Sequence, residues 1–136
     1  SCLGYFTNGT VYMAFRQLKK ENYEKAEQLL MKTRYPRLLQ RSQKSYYHFT
    51  KGFIELHKKN NDLAYDELKA ALDLGLRTQN DTSIATLNLA SIELERKNLK
   101  EAADFITRTK NLNPKPELNI EIQRIEAEID AAQHHI

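Results

Sequence analysis

The chain has 136 residues, with 21 Lys and Arg against 18 Asp and Glu, and only four Gly, three Pro and one Cys. Such a composition excludes a collagen-like or low-complexity chain and, with Cys2 alone, an internal disulfide scaffold; one domain with a continuous core is expected, in a reducing or redox-indifferent compartment. The charge is uneven, since residues 1–60 hold 12 cations and 4 Glu while residues 61–136 hold 9 cations and 14 carboxylates.

Residues 1–15 carry no charge, and Thr7, Asn8, Gly9 and Thr10 interrupt their apolar side chains. The run is too short to span a membrane alone, which takes about 20 apolar residues. It reads either as the lead-in to a first helix or as the tail of a hydrophobic anchor preceding Ser1. A first helical pair is predicted over about 9–20 and 23–34, with Glu21 and Asn22 at the corner, where Asn suits the left-handed conformation that ends many helices. Tyr23, Ala26, Leu29, Leu30 and Thr33 line one face of its second helix. Tyr35 and Pro36 then stop it, because proline lacks an N–H and pushes its predecessor toward an extended conformation.

The second pair is predicted over about 41–59 and 62–74. Tyr46, Phe49, Phe53 and Leu56 form one stripe and Tyr47 and Ile54 an adjacent one, so this helix is expected to be contacted on two sides. Asp62 suits the N-cap of the following helix and Gly75 its end. A third pair begins near Asp81, whose carboxylate can cap, and runs to Leu112, with Pro114 and Pro116 closing it. In the last segment Leu118, Ile122, Ile125, Ile129, Ala132 and Ile136 follow at steps of three and four, an amphipathic seam that reads as a lid over a repeat array. Dimerisation through that seam is the weaker reading.

Three stretches share one skeleton. A small residue recurs at Ala14, Gly52 and Ala90, a leucine at Leu18, Leu56 and Leu94, an asparagine at Asn22, Asn60 and Asn98, and an alanine at Ala26, Ala64 and Ala102, each 38 residues apart. Such a period marks stacked units that cannot bury their apolar faces alone. At these columns the chain resembles the tetratricopeptide repeat family, which implies an all-α, right-handed solenoid of helical hairpins: repeats at about 9–40, 41–78 and 79–114, and a capping helix at 117–134. The period is 38 rather than 34. The family's early Trp is replaced by Thr10, His48 and Thr86, and its mid-helix Tyr by Gln17, Glu55 and Glu93.

No nucleophile, base and orienting partner accompany Cys2, His48, His57, His134 or His135, and no glycine-rich loop could cradle phosphate, so neither an enzyme, a cofactor nor a metal site is expected. The resemblance implies a protein or peptide partner held in a concave groove lined by first helices: Asn8, Val11, Phe15 and Lys19; Tyr46, Phe49, Phe53 and His57; and Leu87, Ser91 and Glu95. With Val11 and Phe15 where a family subset uses Asn and Lys, a carboxylate-clamping groove is not expected. The alternative is an anionic-surface binder, because Lys32, Arg34, Arg37, Arg41, Lys44, Lys51, Lys58 and Lys59 face only Glu55 within that stretch. Membrane headgroups rank ahead of nucleic acid as its partner. The expected protein is cytoplasmic and a monomer or weak dimer; membrane association through a segment before Ser1 belongs to the alternative reading.

Overall fold

The structure, a computed structural model, describes residues 2–134, with side chains described from Gly9 onward. It is all-helical among these residues and divides into two compact units, Ser1–Leu76 and Arg77–Ile136. The first contains α1 (Cys2–Lys19), α2 (Tyr23–Met31), a 3-10 turn (Pro36–Leu38), α3 (Arg41–His57) and α4 (Asn61–Leu74). The second contains α5 (Gln79–Glu95), α6 (Leu99–Asn111), a 3-10 turn (Pro116–Leu118) and α7 (Asn119–Gln133). Consecutive helices pack as the pairs α1/α2, α3/α4 and α5/α6. No helix among the described residues is long and apolar enough to cross a membrane.

One corner is built three times. Glu21, Lys59 and Lys97 adopt positive φ of 61°, 65° and 64°. The next amide, of Asn22, Asn60 or Asn98, donates to the carbonyl of Gln17, Glu55 or Glu93 at 2.9 Å. The preceding amide closes onto Leu18, Leu56 or Leu94. This 6→1 and 5→2 pairing satisfies carbonyls that a helix end leaves open. The left-handed residue is therefore the one before each Asn, and the Asn works differently from expectation. Its backbone carbonyl receives the amide of Ala26, Ala64 or Ala102 at 2.9 Å, starting the next helix. Its side-chain amide reaches back to Gln17 Oε1 at 2.9 Å, Glu55 Oε2 at 2.8 Å and Glu93 Oε1 at 3.4 Å. Gln17, Glu55 and Glu93 are thus the acceptors of an amide clasp.

Small columns let the paired helices approach. Ala14, Ala26, Ala64, Ala90 and Ala102 are fully buried, and a Cβ added at Gly52 would lie 2.8 Å from Cγ and Cδ2 of Leu68. In the first and third pairs hydroxyls meet at equivalent positions: Thr10 meets Thr33 at 2.9 Å and Thr86 meets Thr109 at 2.7 Å. In the middle pair the matching positions are His48 and Ala71, and His48 Nδ1 turns instead to Glu67 Oε2 at 2.6 Å.

Several boundaries differ from the sequence expectation. The first helix begins at Cys2 rather than near Gly9, and α2 ends at Met31 rather than Arg34. Asp62 lies in the first turn of α4, whose N-cap is Asn60. Asp81 lies inside α5, and the cap is Thr78, whose hydroxyl accepts from the Asp81 amide at 3.0 Å. Thr has an advantage there because its own backbone is extended while its oxygen faces the first free amides.

Both anticipated stripes of α3 are in use. Ile54 joins Ala14, Ala26, Leu29 and Leu30 in one cluster, with Tyr47 packed against it, while Tyr46 and Phe49 are buried beside Phe15. In the second unit, Ile122, Ile125 and Ile129 of α7 are buried with Leu87, Ala90, Ala102 and Ile106. The step of three and four places these isoleucines on one stripe, and burying them removes apolar surface from water, the dominant stabilising effect in folding. Ile136, the last residue of the seam, and His135 lie outside the described residues.

Candidate functional site

The residues of the expected groove fall into three groups. Val11, Tyr46, Phe49 and Leu87 are buried and form the interior of their units instead of an open lining. Leu87 in particular lies in the aliphatic cluster beneath α7. Phe15, Phe53 and Ser91 are half-buried, and Lys19, His57 and Glu95 are exposed. The side chain of Asn8 lies outside the described residues. Tyr46, Phe49 and Phe53 share a stripe of α3, but the Phe15 ring of α1 meets the first two, while Phe53 stays half-buried.

Phe15 of α1 meets this stripe edge-on, with its ring 4.9 Å from Tyr46 and 5.9 Å from Phe49. Phe49 in turn lies 5.8 Å from Tyr46 and 4.8 Å from Phe53. These spacings lie in the range where tilted and T-shaped ring pairs attract. Lys19 Nζ sits 4.8 Å over the Phe15 ring, a cation–π placement that keeps a positive charge beside a partly open aromatic face. The result is a rigid surface of two half-open rings, Phe15 and Phe53, on a floor of two closed ones.

At the corner end of the same unit, His57 stacks on Tyr23 with centroids 3.9 Å apart and planes 5° from parallel. The two rings border a cleft of about 690 Å³ whose other walls are Glu21, Asn22, Glu24 and Lys25. The Tyr23 contribution was not anticipated from sequence, although its place one residue after the corner Asn makes it the first side chain of α2 able to reach α3. In the second unit, Ser91 and Glu95 border a separate cleft of about 670 Å³ with Leu94, Leu99, Lys97 and Arg124. Arg124 is held there by Glu121 at 3.0 Å and Glu128 at 2.7 Å, and these carboxylates push its pKa up.

The basic stretch is divided by its partners. Arg41 donates to the carbonyls of Leu74 at 2.6 Å and Asp73 at 3.2 Å, closing the end of α4. Lys58 binds Glu27, which raises its pKa. Lys51 lies 3.7 Å from Glu67. Burial opposes the charge on Glu67, but the hydrogen bond from His48 and the charges of His48 and Lys51 outweigh it and hold this carboxyl below the usual range. Lys32, Arg34, Arg37 and Lys59 are exposed, and Lys44 is half-buried. No group of three or more His, Cys, Asp or Glu among the described residues is placed to hold a metal ion.

No protein-family model, curated protein or solved structure matches this chain.

Proposed function

We propose that the chain is a right-handed helical-hairpin array of the tetratricopeptide type, and that it is a non-enzymatic scaffold holding a protein or peptide segment against the surface between α1 and α3. The array reading is supported by the three equivalent corners and by the small columns at 14, 52 and 90 and at 26, 64 and 102. One observation carries the binding reading: Phe15 and Phe53 are half-open on a floor of buried Tyr46 and Phe49, with Lys19 over Phe15. Pre-organised aromatic rings lose little entropy on docking and serve as anchors for apolar side chains, while the adjacent cation favours a segment carrying a carboxylate.

The test is selection of peptides from a displayed random library against the intact chain, followed by affinity measurement on variants. Phe53→Ala should weaken the selected peptides by about 30-fold, as an anchor residue does, while lowering the melting temperature less than Phe49→Ala. Peptides that bind Phe53→Ala and Phe15→Ala as tightly as the parent chain would place the partner elsewhere.

A second reading, binding at an anionic surface, is supported by the run from residue 28 to 54, which holds six Lys and Arg and no Asp or Glu. It carries with it a cytoplasmic location, because positive charge beside a membrane favours that side. Headgroup binding of this kind should weaken steeply with added salt.

A further inference from the structure

Met31, Tyr35 and Leu38 are 79%, 58% and 76% exposed, an unusual concentration of open apolar side chains within eight residues. Scattered exposed apolar residues need no explanation, but a cluster framed by charges of one sign does. Here Lys32 and Arg37 lie between and beside them, both exposed, and the nearest acidic residues in the chain are Glu27 and Glu55.

The segment is also held in a fixed shape. On one side Thr33 is buried and bonded to Thr10 at 2.9 Å; on the other Leu39 is buried. Between these anchors Tyr35 takes φ 54° and ψ 59°, directly before Pro36, and its carbonyl accepts the Leu38 amide at 2.8 Å. A bulky side chain in the left-handed region before proline is disfavoured twice over, by its own Cβ and by the proline ring. Strain of this kind persists only where surrounding contacts enforce it. What the strained turn achieves is to aim Tyr35 and Leu38 outward from one tight bend. The Thr10–Thr33 bond further sets the end of α2 beside the half of α1 that precedes its first charge, Arg16.

We propose that the turn 31–38 is a membrane-insertion wedge: Met31 and Leu38 enter the acyl boundary of a bilayer, Tyr35 sits at headgroup level, and Lys32 and Arg37 bind anionic headgroups. The combination suits a bilayer better than a protein. An interfacial segment needs a few apolar side chains, a ring with a polar tip and flanking cations, and two weak signals together give stable attachment where either alone is marginal. This deepens the anionic-surface reading, on which it rests for the sign of the partner's charge.

The chain contains no Trp, so Leu38→Trp introduces a single indole reporter. With vesicles of phosphatidylcholine and phosphatidylserine at low salt, that variant of the full chain should co-sediment, its emission should shift to the blue, and lipids brominated in the acyl chain should quench it. Phosphatidylcholine alone should do much less. Met31→Ser with Leu38→Ser should weaken sedimentation by at least about tenfold, and Lys32→Gln and Arg37→Gln by about fivefold each, all with unchanged helicity. Sedimentation that persists without quenching, and is indifferent to the serine pair, overturns insertion while the electrostatic reading stands. No sedimentation with anionic vesicles overturns both. Binding to polyglutamate or self-association that depends on Met31 and Leu38, without vesicle binding, assigns the surface to a protein instead.

Discussion

The α3/α4 and α5/α6 pairs share a corner and differ on their faces. Both turn through a left-handed Lys, both clasp a buried Glu with the following Asn, and both set a small residue of the first helix against a large aliphatic of the second. Yet α5/α6 closes its open end with the Thr86–Thr109 hydroxyl bridge and lies beneath three isoleucines of α7. The α3/α4 pair has His48 bonded to Glu67 in the corresponding region, and α3 meets aromatic rings from α1. A common backbone device therefore fixes the hairpin, and the residues around it decide whether a face becomes sealed core or a partly open aromatic surface.

The largest expected effect would break the sealed face. Ile125 is fully buried, and Ile125→Ala should cost about 2–5 kcal/mol in chemical denaturation, the usual range for truncating a core isoleucine. A loss below about 1 kcal/mol would mean that the seam does not hold the second unit together. Next, the small columns are alike without being interchangeable. Alanine is the better helix former by about 1 kcal/mol, yet Gly52→Ala should destabilise by about 1–3 kcal/mol because its methyl overpacks Leu68. The reverse change in the matching column, Ala90→Gly, should cost about 1 kcal/mol.

The clasp offers a finer comparison. Asn60→Ala should cost about 1–2 kcal/mol, since Glu55 is buried and accepts from that amide at 2.8 Å. Asn98→Ala should cost less, about 0.5–1 kcal/mol, because the longer 3.4 Å bond is backed by Arg96 at 3.0 Å from Glu93. Equal losses would show that bond length and the arginine are irrelevant.

Acid should act unequally on the two faces. Glu67 is held below the usual carboxyl range by its bond to His48, so its folded pKa lies under its unfolded one. Its contribution is therefore present above roughly pH 4–5 and lost as pH falls through the folded value. Glu67→Gln should flatten that part of the stability–pH curve, whereas an unchanged acid limb would assign the sensitivity to other carboxylates. The smallest effect tests the shared corner itself. Lys59→Gly and Lys97→Gly should each stabilise by about 0.5 kcal/mol by relieving positive φ, and by the same amount in both pairs, as read from melting curves.

Sequence alone determined the helical class, the 38-residue register and the positions of the corners, because these depend on local chemistry: apolar spacing of three and four, small residues at repeated columns, and Asn, Gly and Pro where helices stop. The α7 seam was legible for the same reason. Which residue takes the left-handed conformation was not, since Glu21, Lys59 and Lys97 lack the glycine that advertises it, and the hydrogen bonds of the corner impose it. Exposure was likewise undecided. Tyr46, Phe49 and Phe53 form one stripe in the sequence, but Phe15 arriving from another helix helps close the first two and leaves part of the third open. The pairings that divide the basic stretch, Arg41 with the end of α4 and Lys58 with Glu27, join residues more than thirty positions apart. Only tertiary structure brings such charges together, because side-chain periodicity says which way a residue points along its own helix and nothing about what comes to meet it.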